Sequence, residues 1–239
     1  MLMVGAIAPA AAHPHIWVSV RTTVLYDNAA IVGFRQAWTF DQYYSVMAIE
    51  GLDTDKDGQY SRAELAELAK VNVEALKEFA YFTFPRLKGQ ELAVEMPKEY
   101  HLEHAMRPPA RDAAVAPQQD AAVLPRTGAS ETAEAAGKPV NELTLHFTLP
   151  LAKPVLAEAE GFTFSMGDPS FFIAFEPARD EPVALGPGAP KGCRITSTAP
   201  KEPEANPSRP GDLMAGQPSD LSVNLVAAPS WQVICAPAG

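Results

Sequence analysis

The densest chemistry in this chain lies in Asp53-Thr54-Asp55-Lys56-Asp57-Gly58-Gln59-Tyr60-Ser61-Arg62-Ala63-Glu64. Acidic residues at the first, third and fifth places, glycine at the sixth and glutamate at the twelfth form the EF-hand pattern for calcium. Asp53, Asp55 and Asp57 offer carboxylate oxygens, Gln59 its backbone carbonyl, and Ser61 a hydroxyl that can hold a water ligand. Glu64 closes the set as a bidentate carboxylate, Gly58 permits the sharp bend, and Tyr60 takes the apolar position that packs inward. An all-oxygen, high-coordination set selects Ca²⁺ over transition metals, which favour nitrogen and sulfur. No second loop of this kind follows. A structural clamp is therefore expected rather than a paired switch.

Nitrogen ligands gather instead at His13-Pro14-His15-Ile16-Trp17. Histidines at i and i+2 of a strand share a face, within reach of one ion. If a leader is removed after Ala12, the α-amine and imidazole of His13 can chelate with His15 as a third nitrogen, a set for Cu²⁺, Ni²⁺ or Zn²⁺. Pro14 blocks the alternative mode through deprotonated backbone amides. Removal after Ala10 would restore that mode for Cu²⁺ or Ni²⁺ in Ala11-Ala12-His13. The competing reading is two exposed histidines with no tight ligand.

Other candidates are weaker. His101 and His104 flank Glu103 beside a low-complexity stretch and read as solvated side chains, as does His146 on the polar face of a strand. Asp168-Pro169 reads as an Asx-type turn, with Asp168 or Asp41 joining a metal shell only if folded near His13. There is no nucleophile–base pattern, Gly-rich phosphate loop or His-Glu-x-x-His, so the chain is not read as an enzyme.

Composition narrows the setting. A formal charge of −10 with no basic stripe excludes nucleic-acid binding and disfavours anionic membranes. Met1 to Ala12 is apolar and ends in Ala10-Ala11-Ala12, a signal-peptide pattern too short to span a bilayer. It has no basic residue at its start, so it is either incomplete there or not a signal. No transmembrane segment is expected in the mature chain. Cys193 and Cys235 both adjoin strand-like residues, and in an oxidising, periplasmic compartment they would pair. Two buried free thiols are the alternative.

The elements that must position these groups are mostly strands. Ile16–Tyr26 and Ile31–Thr39 form a hairpin around Asp27-Asn28, and Asp41 caps a helix from about Gln42 to Gly51. Arg62–Tyr81 has Leu65, Leu68, Val71, Val73, Leu76 and Phe79 at roughly helical spacing. Strands are expected at 81–87, 91–96, 100–103, 142–151, 162–167, 171–175, 221–226 and 231–235. Residues 177–192 and 200–220 read as loops, and Ala105–Pro139, rich in Ala and Pro without aromatics, as a disordered insert. The fold expected is mainly β, β-sandwich-like, with an inserted EF-hand helix-loop-helix at about 41–80, α+β overall. Residues 13–104 carry the first strands and the helices, and 140–239 complete the sandwich.

Several short stretches together resemble the domain-of-unknown-function 1007 family of bacterial periplasmic proteins. They are His13-Pro14-His15-Ile16-Trp17-Val18, Trp38-Thr39-Phe40-Asp41-Gln42-Tyr43-Tyr44-Ser45, Glu50-Gly51-Leu52-Asp53, Leu145 to Leu151 and Asp168-Pro169-Ser170-Phe171-Phe172, with the two cysteines. The resemblance covers about 13–104 and 140–235, and Ala105–Pro139 departs from it. It implies a protein often labelled the periplasmic component of an ABC-type transporter, in company with nickel/cobalt-type exporters. The chain lacks the alternating βαβ pattern of two-lobed binding proteins. The expectation is an exported, calcium-binding accessory in nickel, cobalt, zinc or copper transport or homeostasis, with an inner-membrane metal transporter as partner. A calcium-stabilised interaction module without a transition-metal role is the alternative.

Overall fold

The computed structural model describes residues 14–107, 139–170, 172–198 and 229–235. The leader, His13, most of the Ala/Pro-rich insert, Phe171, the 200–220 loop and the strand expected at 221–226 lie outside these residues.

β1 (Ile16–Asp27) alternates as its sequence demands, with Val18, Val20, Thr22 and Val24 buried. It turns through Asn28 and Ala29, both at positive φ, into β2 (Ala30–Phe40). Two such residues between paired Asp27 and Ala30 match the twist of a tight hairpin. β6 (Val140–Leu156) pairs antiparallel with β2 on one side and with β5 (Tyr100–Arg107) on the other. β5 therefore runs on through Ala105-Met106-Arg107, residues the composition had consigned to the insert. At Gly33 the β2 backbone approaches β6 so closely that a Cβ would sit 2.4 Å from the Leu149 carbonyl oxygen. No larger residue fits there.

The other edge of β1 takes two parallel strands, β8 (Ile173–Pro177) and then β9 (Val183–Leu185). β9 falls where a loop was expected. The second sheet runs β10 (Arg194–Thr198), β11 (Ser230–Ile234), β7 (Phe162–Met166), β3 (Thr83–Leu87) and β4 (Gln90–Glu91). In place of the strand expected to reach Met96, Val94 makes only an isolated bridge to Leu151. Cys193 and Cys235 are joined in a disulfide at the open end of the β10–β11 pair.

The two sheets face each other where Phe34 of β2 meets Phe164 and Phe162 of β7, ring centroids 4.9 and 6.4 Å apart. The far end of the first sheet's inner face is covered by helices. α1 (Gln42–Ala48) begins at Asp41, whose carboxylate accepts from Tyr44 N. It is pinned by buried Ser45, whose hydroxyl donates to the Phe40 carbonyl and accepts from Leu143 N of β6. α2 (Ala66–Leu76) is shorter than its pattern suggested. Residues 62–65 form turns, and a 3₁₀ segment, Lys77–Phe82, breaks at positive φ at Ala80 and Tyr81. Leu65, Ala69 and Val73 face the core, whereas Val71 and Phe79 stay exposed. The molecule is thus mainly β: two sheets and two α-helices among the described residues.

Candidate metal centre

The acidic loop hangs between α1 and α2. Its carboxylates organise its own backbone: Gly58 N donates to Asp53 Oδ2 at 3.1 Å, Asp57 N to Asp55 Oδ1 at 3.2 Å, and Gln59 N to Asp57 Oδ1 at 2.7 Å. Gly58 adopts φ +77 with open space where a Cβ would lie, so backbone conformation alone asks for glycine. Asp53, Asp55 and Asp57 each bring an oxygen within 4.8 Å of the others. Asp53 Oδ1 is buried without a hydrogen-bond partner. A buried carboxylate oxygen is costly to leave unpaired, and the exposed carboxylates of Asp55 and Asp57 add like charge beside it. The donor set suits a hard cation.

Glu64, expected to close the set as a bidentate ligand, lies outside that cluster and instead ties the loop's two ends together. One oxygen accepts from Thr54 N and Oγ1, the other from Ser61 N and Oγ, all between 2.7 and 2.9 Å. Glu64 N donates back to Ser61 Oγ at 3.3 Å, a reciprocal pair of the capping-box kind at the approach to α2. The bonds from the Ser61 and then the Thr54 backbone, with help from both hydroxyls, hold the Glu64 carboxyl down at about 2.

The loop is braced on the edge strand β5. Tyr60 is half-buried against the core, its ring edge-on to His104 at 4.8 Å, and His104 Nε2 lies 2.8 Å from Asn141 Oδ1 of β6. Arg62 crosses to the outer face of the sheet and binds Glu103.

There, register assembles a group that sequence reasoning left as separate solvated side chains. His101 of β5 stands opposite His146 of β6, the rings stacked at 4.8 Å and 13°. Glu103 Oε1 lies 3.2 Å from His101 Nε2, and Oε2 lies 3.5 Å from His146 Nε2. Burial, the largest influence, holds His146 below its ordinary value, against the pull of Glu103. Glu103 is itself lowered, first by its hydrogen bond to Arg62. The only sequence signal was the i, i+2 spacing of His101 and Glu103 on one strand face.

The N-terminal histidines fare differently. His15 is exposed, its ring 5.1 Å from Phe172 and its N–H donating to the Phe172 carbonyl. Asp41 and Asp168 both lie near this strand start, but their oxygens are in use. Asp41 accepts from Trp17 N and Tyr44 N, and Asp168 from Ser170 N and Oγ, Phe172 N and Ile173 N. Asp168 is an organiser of its turn. The stretches around His15, Asp41 and Asp168, scattered in sequence, thus meet at one end of β1.

A family model described as "Protein of unknown function (DUF1007)" matches residues 1–223. The chain belongs to this family. The match spans the 105–139 segment that the resemblance had left out and ends before Cys235. Neither a curated protein nor a solved structure matches the chain.

Proposed function

We propose that this member of the DUF1007 family is an exported calcium-binding protein whose acidic loop is an EF-hand inserted between strands, and that it serves as a non-enzymatic accessory in transition-metal transport or homeostasis. The observation that carries the calcium reading is the convergence of Asp53, Asp55 and Asp57, together with a buried, unpartnered Asp53 Oδ1. The Cys193–Cys235 bridge supports an oxidising compartment, hence the periplasm, beside an inner-membrane transporter. With a single such loop braced on a sheet edge, calcium acts as a clamp that sets where Tyr60 and Arg62 meet β5.

A second reading, a calcium-stabilised interaction module without a transition-metal role, is favoured by one observation. The oxygens of Asp41 and Asp168 beside His15 are committed to backbone donors.

Thermal unfolding tests the calcium reading. Calcium at about tenfold above its dissociation constant should stabilise the chain by about 1.4 kcal/mol, several degrees in Tm for a domain of this size. Glu64→Ala should remove the difference between chelator and calcium at ~10⁻² M, tenfold above the weak end of such sites. Superimposable wild-type melts in the two conditions would sink the reading.

A further inference from the structure

The geometry points to a second metal site on the outer face of the first sheet, in which His101, Glu103 and His146 bind a divalent transition cation of the Zn²⁺, Co²⁺ or Ni²⁺ class. The site deepens the transition-metal part of the proposed function and rests on it only for the metal's biological use. The calcium loop contributes none of its ligands.

Three observations carry the assignment. The first is the donor set: two imidazole nitrogens and one carboxylate are the ligands borderline first-row metals prefer, and calcium does not. The second is spacing. Each residue offers a ligand atom, and these lie within 4.8 Å of one another. Metal–ligand bonds of about 2.0–2.2 Å place neighbouring ligands roughly 3 to 3.5 Å apart, so rotation of surface side chains closes the set without moving the backbone. The third is the platform. Both histidines stand on paired strands whose register runs unbroken from Tyr100↔Phe147 to Arg107↔Val140. Sites on paired strands hold their geometry better than sites on loops.

The arrangement also says how such a site would behave. The three side chains are each about a third to a half exposed, so an ion reaches them from solvent. Three protein ligands leave at least one position for water or for a ligand from a partner, which suits exchange rather than permanent storage. Arg62 competes for the same carboxylate and must release Glu103, or share it, when the cation arrives. Because Arg62 belongs to the acidic loop, the two sites touch through one residue.

The test uses the chain carrying His13→Ala and His15→Ala, so that no N-terminal chelate contributes. Zn²⁺ is titrated by calorimetry, and Co²⁺ is followed by its visible absorption. One ion should bind, with cobalt bands characteristic of nitrogen ligation. Adding His101→Ala or His146→Ala should weaken binding by at least about tenfold, and Glu103→Gln should weaken it as well. Circular dichroism checks that each variant is folded. Calcium binding by the His101→Ala/His146→Ala protein, measured in parallel, should be unchanged, so failure of one site is read separately from failure of the other. If the His13/His15 background binds no Zn²⁺, or binds it equally well after loss of both sheet histidines, the site does not exist.

Discussion

Reducing the Cys193–Cys235 bridge should destabilise the protein by about 4 kcal/mol, from the loop-closure entropy of cysteines 42 positions apart. For a chain of this size that is roughly 8 to 16 °C in Tm. The bond joins the end of β11 to the residue before β10, an outer pair of the second sheet. Without it, β10 is held by its ladder with β11 and the packing of Ile195 on the core, and β11 by its pairing to β7 and the stacking of Trp231 on Phe164 at 5.6 Å. Melting with and without reductant measures the effect, with thiol alkylation reporting the covalent state. An unchanged Tm in a verifiably reduced sample would show that the bridge contributes nothing. Rapid alkylation of both cysteines before any reductant is added would instead show the bridge absent and weaken the case for an extracytoplasmic setting.

Trp38→Ala should cost about 3–5 kcal/mol, the range for a buried aromatic truncated to alanine. Trp38 is among the largest fully buried side chains, and it packs against rings from three other segments. Phe147 and Phe175 lie at 5.0 Å and Phe82 at 6.5 Å. It also lines a small cavity together with Asn72, Ala75 and Leu76, where α2 crosses the sheet. Truncation thus opens a void at the seat of the helix pair that carries the acidic loop. Trp38→Phe is the control. The indole N–H has no hydrogen-bond partner, so phenylalanine loses volume but no bond, and its cost should be well below that of alanine. Denaturant titrations of the three proteins measure this. Equal costs for the two substitutions would show that packing is not what holds the site.

What could be read from the sequence was what local pattern controls. The alternation of Val18, Val20 and Val24 marked β1, and Leu143 to Leu149 marked β6, because a strand with one face in the core must alternate. Asp41 was legible as a cap, since its side chain acts within its own turn. The hydrogen bonds of the acidic loop are equally local, since its carboxylates accept from donors within the same twelve residues.

Other features depend on partners distant in the chain. β9 has three residues and exists only because the free edge of β1 accepts it. α2 stops short at Leu76, where the chain must turn into β3, although apolar residues continue at helical spacing. Val71 shares the helical spacing but lies exposed, because the core side is set by Ala69 and Val73 of α2 and by Leu65 just before it. The histidine pair is the plainest case. His101 and His146 lie on either side of the Ala/Pro-rich stretch, and only the β5–β6 register brings their rings together. Composition beside His101 suggested solvent, while the pairing that mattered was encoded in the opposite flank.

Calcium binding by Asp53 to Glu64 is measured by titrating calcium into the metal-stripped chain in a calorimeter. One Ca²⁺ should bind per chain, with a dissociation constant of about 10⁻⁴ to 10⁻³ M, the range of single extracytoplasmic sites. Glu64→Ala should lose that binding. A wild-type chain that takes up no calcium, or a Glu64→Ala chain that binds it as tightly as wild type, would contradict the calcium reading.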